Sequence, residues 1–215
     1  VGTGRVAKLI SIRNGSETAI AEADFTSGST TNFIINWTTN DANAYIINYI
    51  VIGGTDVSAT VIAWTTNTAI GNQSITGSGF KPDTVFHLSE RDNGSNGTSI
   101  GHAVMTRSGE QWAQSISGVD AVTPTVTRIN YSASECLNVG PQVYRARFVS
   151  MDDDGFPINI YQVTAPAASV ASLCLTGVRA TAGSFAKSTG GAPASQAITA
   201  FGFQPTFLML AGTHL

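Results

Sequence analysis

Short apolar and β-branched runs recur roughly every 8–15 residues along the chain and are separated by glycine, asparagine, aspartate and serine. This spacing predicts many short strands joined by turns. No 12-residue window combines a helical apolar stripe with a capping signal, and only residues 111–117 are candidates for a helical turn or two. The pattern predicts an all-β protein with an antiparallel sandwich or jelly-roll-like fold. The predicted strands are 6–12, 33–39, 45–52, 58–64, 84–88, 103–107, 143–149, 156–163, 170–175 and 207–210.

Alternation within a run predicts which face is buried. Tyr144, Ala146 and Phe148 share one face of the run 142–148, and two arginines lie on the other. Because successive side chains of a strand point to opposite faces, we expect the aromatic face to enter the core.

The chain also repeats itself. Residues 25–88 align with residues 148–211 without a gap at an offset of 123, and 18 of the 64 pairs are identical. An offset of that size matches a whole domain rather than the 20–50 residues of a solenoid or propeller repeat. We therefore predict an internal duplication with a first β repeat in 1–92, an inserted loop or hairpin in 93–123 and a second β repeat in 124–215.

The most similar block pairs residues 73–82 with residues 196–205. We expect each glycine to allow a backbone angle that other residues avoid, each phenylalanine to plug the core and each proline to hold the chain extended before a strand. A binding loop is the alternative, but the block appears twice with different following residues, which favours core geometry. The motif positions are Gly79, Phe80 and Pro82 in the first copy and Gly202, Phe203 and Pro205 in the second.

The composition of the chain argues against two classes of partner, nucleic acids and membranes. Charged residues make up 12% of the chain, serine and threonine together number 47, and the net charge is −3. Without a basic patch we expect no nucleic-acid partner and no anionic membrane surface. The longest apolar stretch, 44–52, is too short for a membrane-spanning helix.

Candidate chemistry is sparse, and we predict no catalytic residue, no cofactor and no metal site. The acidic run Asp152–Asp154 could hold calcium, but its repeat counterpart 29–32 is uncharged, which favours a polar turn. His87 and His102 invite a serine–histidine–aspartate set, yet the chain has no Gly-x-Ser-x-Gly elbow. Cys136 and Cys174 could form one disulfide or none. Residues 93–98 predict an exposed loop.

Aromatic residues raise a rival binding function, because aromatic platforms hold carbohydrate in many β-sandwich modules. The candidates are Trp37, Trp64, Trp112, Tyr45 and Tyr49. The repeat pairs Trp37 with an isoleucine, which predicts a core position, and Trp64 with a lysine, which predicts a surface position. Trp64 is therefore the predicted interface residue.

At the repeated block the chain resembles a family of phage virion proteins, often described as tail or structural proteins. The resemblance rests on 74–85, on the Asp-Gly-Phe segment within 150–156 and on an apolar strand at 45–52 or 170–175; the second copy departs from it, since Thr206 replaces Asp83. In that family's frame, one complete unit would span about 70–188, flanked by partial units, and we expect the chain to be a piece of a longer protein. The resemblance implies a β-rich virion component with no catalytic residues to carry over.

These observations predict a non-enzymatic structural protein of a phage virion, either a tail, fibre or capsid-decorating component, that acts by subunit assembly. Its expected partners are copies of itself and other virion proteins, and its expected location is the extracellular particle. Exposed strand edges are a means of such assembly. The alternative is a lectin-like β-sandwich module of an adhesin or receptor-binding fibre, with host-surface glycans as partners.

Overall fold

The chain is all-β. The structure is a computed structural model that describes residues 8–14, 18–47, 49, 51–92, 97–119, 126–140, 143–164, 167–191, 195–199 and 201–210. Within these ranges there are 13 strands in three antiparallel sheets and no helix, and strands account for 51% of the structure. The predicted all-β class is confirmed. The duplication and the jelly-roll-like connectivity stay predictions.

The first compact unit, Val1–Val51, contains a three-stranded sheet. Its strands β1 (Ile10–Arg13), β2 (Ala19–Gly28) and β3 (Phe33–Thr39) follow one another in space as they do in sequence. β3 has a hydrogen-bonded neighbour on one side only, and Trp37 on this strand is exposed. The predicted core position of Trp37 is therefore wrong, since its side chain is 37% exposed.

The second compact unit, Ile52–Leu215, contains two sheets. A six-stranded sheet has the order β4-β13-β6-β7-β8-β9, and a four-stranded sheet has the order β10-β11-β12-β5. The strands are β4 (Ser58–Thr65), β5 (Gly71–Thr76), β6 (Thr84–Asp92), β7 (Gly97–Thr106), β8 (Gln111–Val119), β9 (Val126–Ser132), β10 (Leu137–Val139), β11 (Tyr144–Phe148), β12 (Gly155–Val163) and β13 (Ser169–Thr176).

The core of this unit lies between the two sheets, as in a sandwich. Tyr144 and Ala146 are buried in it and Phe148 packs against it, which confirms the buried face predicted from alternation. The buried core residues are Ile75, Val85, Met105, Cys136, Leu137, Val139, Tyr144, Ala146, Met151, Phe156, Ile158, Ile160, Ala168, Val170 and Cys174.

Three local predictions are wrong. Residues 111–117 form strand β8, not helical turns, because β7 and β9 pair with them on both sides. The described residues of 45–52 and all of 207–210 are irregular and exposed. Their apolar, β-branched composition suits a strand, but a strand forms only beside a neighbour that completes its hydrogen-bond ladder.

The unit boundary at residues 51 and 52 differs from the repeat boundaries predicted at 92 and 123. The described part of the predicted insert, 97–119, supplies β7 and β8 of the six-stranded sheet, and β7 pairs with β6. The run from β4 to β13 overlaps most of the alternative frame 70–188. Of the predicted loop 93–98, residues 93–96 lie outside the described residues and the rest begins β7.

Candidate functional site

The two copies of the repeated block adopt the same backbone angle at their glycines. Gly79 has φ +76° and Gly202 has φ +68°, a region that favours glycine, so this prediction is confirmed. The amide of Gly79 donates a hydrogen bond to Asp154 Oδ1 at 2.7 Å. Phe80 packs against the core and Pro82 is buried before β6, as expected.

The second copy differs beyond its glycine. Phe203 is half-buried beneath the guanidinium of Arg179, which lies 5.1 Å from the ring centroid, and Pro205 is exposed. The chain after Pro205 forms no strand in 206–210. The core plug predicted for Phe203 is thus replaced by a cation–π contact, because no second sheet closes over it.

A glutamine in each copy bridges the preceding turn in the same way. In each glutamine, Gln73 and Gln196, the side-chain Oε1 accepts a hydrogen bond from a backbone N–H. The side-chain Nε2 donates to the backbone carbonyl of the residue two positions before that N–H. The partners are the carbonyls of Thr65 and Ala186 and the amides of Asn67 and Ser188, at 2.7–2.8 Å. The bonding pattern is shared, but the partners of Gln196 are shifted by two residues from the repeat counterparts of Thr65 and Asn67, which are Ser188 and Gly190.

A cleft of about 530 Å³ lies beside both copies of the block. Its charged groups already have partners: Arg107 Nη1 lies 3.0 Å from Asp83 Oδ1, Glu110 accepts the Ser108 hydroxyl, and Arg179 donates to a backbone carbonyl. A ligand would have to displace these contacts. The cleft is therefore better explained as a structural junction than as a binding site.

The acidic run is a turn, as predicted. Asp152 bridges to Gly155 through backbone hydrogen bonds and accepts the Ser150 hydroxyl at 2.8 Å, while Asp154 holds the glycine turn before β6. Within the described ranges, no group of three metal-ligating side chains comes together. The run joins β12 to the repeated block and performs no evident chemistry.

His87 is buried inside the sandwich. Its Nδ1 lies 2.8 Å from the Ser172 hydroxyl, which also accepts the indole N–H of Trp64 at 2.7 Å. Burial lowers the pKa of His87 to about 3, so the imidazole is neutral at physiological pH. A side chain sealed between two sheets cannot meet a substrate, so the arrangement stabilises the core.

Trp64 lies on the core side of β4, edge-on to Phe156. The surface position predicted for Trp64 is wrong, because alternation along β4 turns this position inward. Its contribution to an interface stays a prediction. Trp112 lies on the opposite face of the same sheet beside His102, so the tryptophans of this sheet do not form one sugar platform. His87 and His102 are likewise on opposite faces.

The outer face of the six-stranded sheet is the most unusual surface of the described chain. Side chains that register across neighbouring strands form apolar rows on the face turned away from the core. Val61, Leu88, Ile100, Ile116 and Ile129 of this face are exposed. One row is wholly apolar and comprises Val61, Leu173, Phe86, Val104 and Trp112. The next comprises Ala63, Ala171, Leu88, His102, Gln114 and Tyr131, and in the third the polar Thr65, Ser169 and Glu90 are followed by Ile100, Ile116 and Ile129.

The inner face of the same sheet reverses the usual distribution at β7 and β8. Ser99, Ser115 and Ser117 are buried there, and the Ser115 hydroxyl donates to Asn138 Oδ1 at 3.1 Å. The isoleucines that alternate with them, Ile100 and Ile116, face outward. Since large exposed apolar patches mark interaction sites, this outer face is the candidate functional site.

Sequence reasoning did not find this face. Alternation identifies two faces but not which one is buried, and the apolar face would ordinarily be assigned to the core. A usable signal was present in β6, where Val85, Phe86 and Leu88 supply apolar residues to both faces. Such two-sided apolar strands are typical of sheets covered on both sides.

A buried carboxylate lies at the edge of the four-stranded sheet. Glu135 is fully buried and accepts hydrogen bonds from the Asn138 amide at 3.0 Å, the Arg145 guanidinium and the Tyr161 hydroxyl. The hydrogen bond to Glu135 raises the pKa of Arg145 above its usual value. A buried charge is tolerated when it is paired and hydrogen-bonded in this way.

Removing the cation should therefore destabilise the fold. We expect Arg145→Met to lower the free energy of unfolding by about 3 kcal/mol, because Glu135 would remain buried without its countercharge. Arg147→Met is the matched control: Arg147 also stacks on Tyr161 but is exposed, and we expect a loss below about 1 kcal/mol. Urea unfolding at neutral pH measures both, and equal losses would contradict the role given to Glu135.

Both cysteine thiols are free and buried. Burial raises the pKa of Cys174 to about 11 and also raises that of Cys136.

Among the described residues, no helix has the length and apolar character needed to span a membrane. In three comparisons, the sequence matched no protein-family model, no curated protein and no solved structure. The functional argument therefore rests on the geometry and on the sequence.

Proposed function

We propose that the chain is a non-enzymatic structural subunit that acts by assembly with copies of itself, as a tail, fibre or capsid-decorating component of a phage virion. The observation that carries the assembly part is the apolar outer face of the six-stranded sheet. Burying Leu88, Ile100 and Ile116 against another subunit would remove apolar area from water, which is the main driving force of association.

The inverted arrangement at β7 and β8 supports this proposal. Placing Ser99 and Ser115 inside and isoleucines outside lowers the stability of an isolated subunit, so the sequence is better suited to a sheet covered on both faces. The assignment to a phage particle is based on the resemblance of 74–85 and 150–156 to phage virion proteins. A hydroxyl-rich, charge-poor composition accompanies it.

Charge placed on the outer face tests the assembly function. We expect wild-type protein to form defined oligomers at micromolar concentration and Leu88→Lys/Ile116→Lys to remain monomeric. An unpaired lysine at a buried contact should weaken association about 100-fold or more, equivalent to roughly 3 kcal/mol. Sedimentation velocity over a concentration series measures the change.

Ile70→Lys supplies the matched control. Ile70 is as exposed as Leu88 but lies between β4 and β5, away from the outer face, so this variant should assemble like the wild type. All variants should keep their free energies of unfolding within about 1 kcal/mol of the wild type, since the replaced side chains are exposed. A monomeric wild-type protein, or identical assembly by the outer-face variant, would contradict the proposal.

The lectin-like alternative has a separate outcome. It predicts saturable glycan binding by a monomer and loss of that binding in Trp64→Ala. The core position of Trp64 makes this variant a stability change as well, so Trp112→Ala on the outer face should be compared with it. Glycan binding by a strictly monomeric protein would favour this alternative over assembly.

A further inference from the structure

The three-stranded sheet corresponds to part of the four-stranded sheet. Shifted by 123 positions, β3 falls on residues 156–162 of β12, β2 overlaps β11, and β1 ends next to β10. The spatial orders agree as well, β1-β2-β3 against β10-β11-β12. The four-stranded sheet has one more member, β5, which pairs with β12 along the edge that β3 leaves open.

The strand that would fill that edge occurs a second time in the chain. Shifted by the same 123 positions, β5 falls on 194–199, of which 195–199 is described and irregular. In the four-stranded sheet, Phe156 lies opposite Ile75, and the two are 1% and 4% exposed. Their counterparts Phe33 and Ile198 are 42% and 37% exposed. The apolar pair is thus buried in the four-stranded sheet, while both of its counterparts are exposed.

A second pair of segments shows the same contrast. β13 and β6 pair in the six-stranded sheet, with Cys174 opposite Val85 and Leu175 opposite Thr84, and all four are buried. Their counterparts lie in 46–53 and 207–210, whose described residues are irregular. These counterparts, Val51 with Leu208 and Ile52 with Phe207, are all exposed.

We propose that two segments of one copy pair with a second copy: 195–199 with β3, and 207–210 with the segment that contains Val51 and Ile52. This inference rests on the proposed assembly function and on the predicted duplication, and it names one contact of that assembly. Unpaired strand edges are templates for pairing with another chain, and strand addition satisfies their backbone groups. The occupant is a copy of this same chain because its sequence contains the counterpart of the strand that β3 lacks: 195–199 corresponds to β5, and β3 corresponds to β12, with which β5 pairs.

The paired segments would form a composite sandwich. Its first sheet would be β1-β2-β3 with 195–199, equivalent to the complete four-stranded sheet. Its second would join 46–52 to 207–210, equivalent to the neighbouring strands β13 and β6. One position departs: Asn32 stands where Gly155 lets β5 approach β12, so we expect pairing to begin at Phe33.

The repeat fixes a register that cross-linking can test. Pro157 lies opposite Ser74 in the four-stranded sheet, so Ile34 should lie opposite Ala197 of the other copy. Directly opposite positions are within reach of a disulfide. We would mix Ile34→Cys protein with Ala197→Cys protein under mild oxidation. The expected product is a covalent heterodimer of twice the chain mass, seen on non-reducing gels and by mass spectrometry.

Offset and background controls complete the design. Ile34→Cys mixed with Ile198→Cys is shifted by one residue, which turns the second thiol to the opposite face, and should give at least about tenfold less heterodimer. Wild-type protein controls for the buried Cys136 and Cys174. Equal yields for the two mixtures, or no heterodimer, would overturn the inference.

The Ile34→Cys/Ala197→Cys double variant separates exchange between copies from closure within one chain. Covalent dimers and longer ladders support exchange, whereas a monomer carrying an internal disulfide overturns it. Sedimentation of the same samples keeps this result apart from the proposed function. Suppose that the cysteine mixtures give no heterodimer, but that the protein still forms oligomers and that these disappear in Leu88→Lys/Ile116→Lys. The strand contact would then be wrong, and the proposed assembly function would stand.

Discussion

Gly155→Ala is expected to lower the free energy of unfolding by about 4 kcal/mol and to leave little folded protein. A Cβ at this position would lie 2.1 Å from the Ile75 carbonyl oxygen and 3.1 Å from Thr76 Cα, both of them backbone atoms of β5. The residue also has φ +143°, which side chains other than that of glycine rarely adopt. Strain of this kind and overpacking each cost about 1–3 kcal/mol.

The large loss of stability expected for Gly155→Ala follows from the position of Gly155, at the start of the pairing between β12 and β5. Gly155 begins β12 opposite Thr76, and the next pair, Phe156 and Ile75, enters the core. Moving β12 away from β5 would loosen both the ladder and the core packing beside it. Since a domain has only about 5–15 kcal/mol of net stability, a loss of this size approaches the whole.

A second strand glycine supplies the control. Gly118 in β8 has open space where a Cβ would be built and no positive φ, so Gly118→Ala should change stability by less than about 1 kcal/mol or raise it slightly. Circular dichroism with urea unfolding compares the two variants. A Gly155→Ala protein as stable as Gly118→Ala would contradict the close approach of β12 to β5.

The strands that the sequence identified correctly are those whose partners lie within the described chain. The alternation of Tyr144, Ala146 and Phe148 predicted a buried face because the opposite face of the strand carries arginines. The repeated glycine predicted positive φ at Gly79 and Gly202 because a backbone angle is a local property. Residues 45–52 and 207–210, irregular where they are described, have equally strong strand composition. Their state depends on whether a neighbouring strand is present, which composition does not encode.

The candidate site was harder to predict for a related reason. Which face of a sheet is covered depends on the packing of the two sheets, so Ile100 and Ile116 give the same alternation whether they point inward or outward. The repeat did carry relevant information, since it paired Phe33 with the buried Phe156. The repeat predicted which apolar residues need a covering partner. It did not predict whether the chain provides that partner, because Trp37 is exposed although its counterpart Ile160 is buried.

His87 should make the fold sensitive to mild acid. Burial lowers its folded-state pKa to about 3, whereas in the unfolded chain it titrates near the ordinary value of 6.5. Between these values the unfolded chain binds the proton and the folded chain does not, so stability rises with pH and falls as the pH drops below about 6.5. The His87 contribution to this loss should be about 2 kcal/mol at pH 5 and about 3 kcal/mol at pH 4.

His87→Gln should remove this part of the acid sensitivity, because glutamine does not titrate. The measurement is the free energy of unfolding from urea titrations at pH 7, 6, 5 and 4, and the decisive quantity is the change with pH rather than the value at neutral pH. His102→Gln is the matched control: His102 is only half-buried on the outer face, so this variant should keep most of the decline. If His87→Gln and the wild type lose stability in parallel below pH 6.5, the imidazole is protonated in the folded protein. The description of His87 as buried from water beside Ser172 and Trp64 would then be wrong.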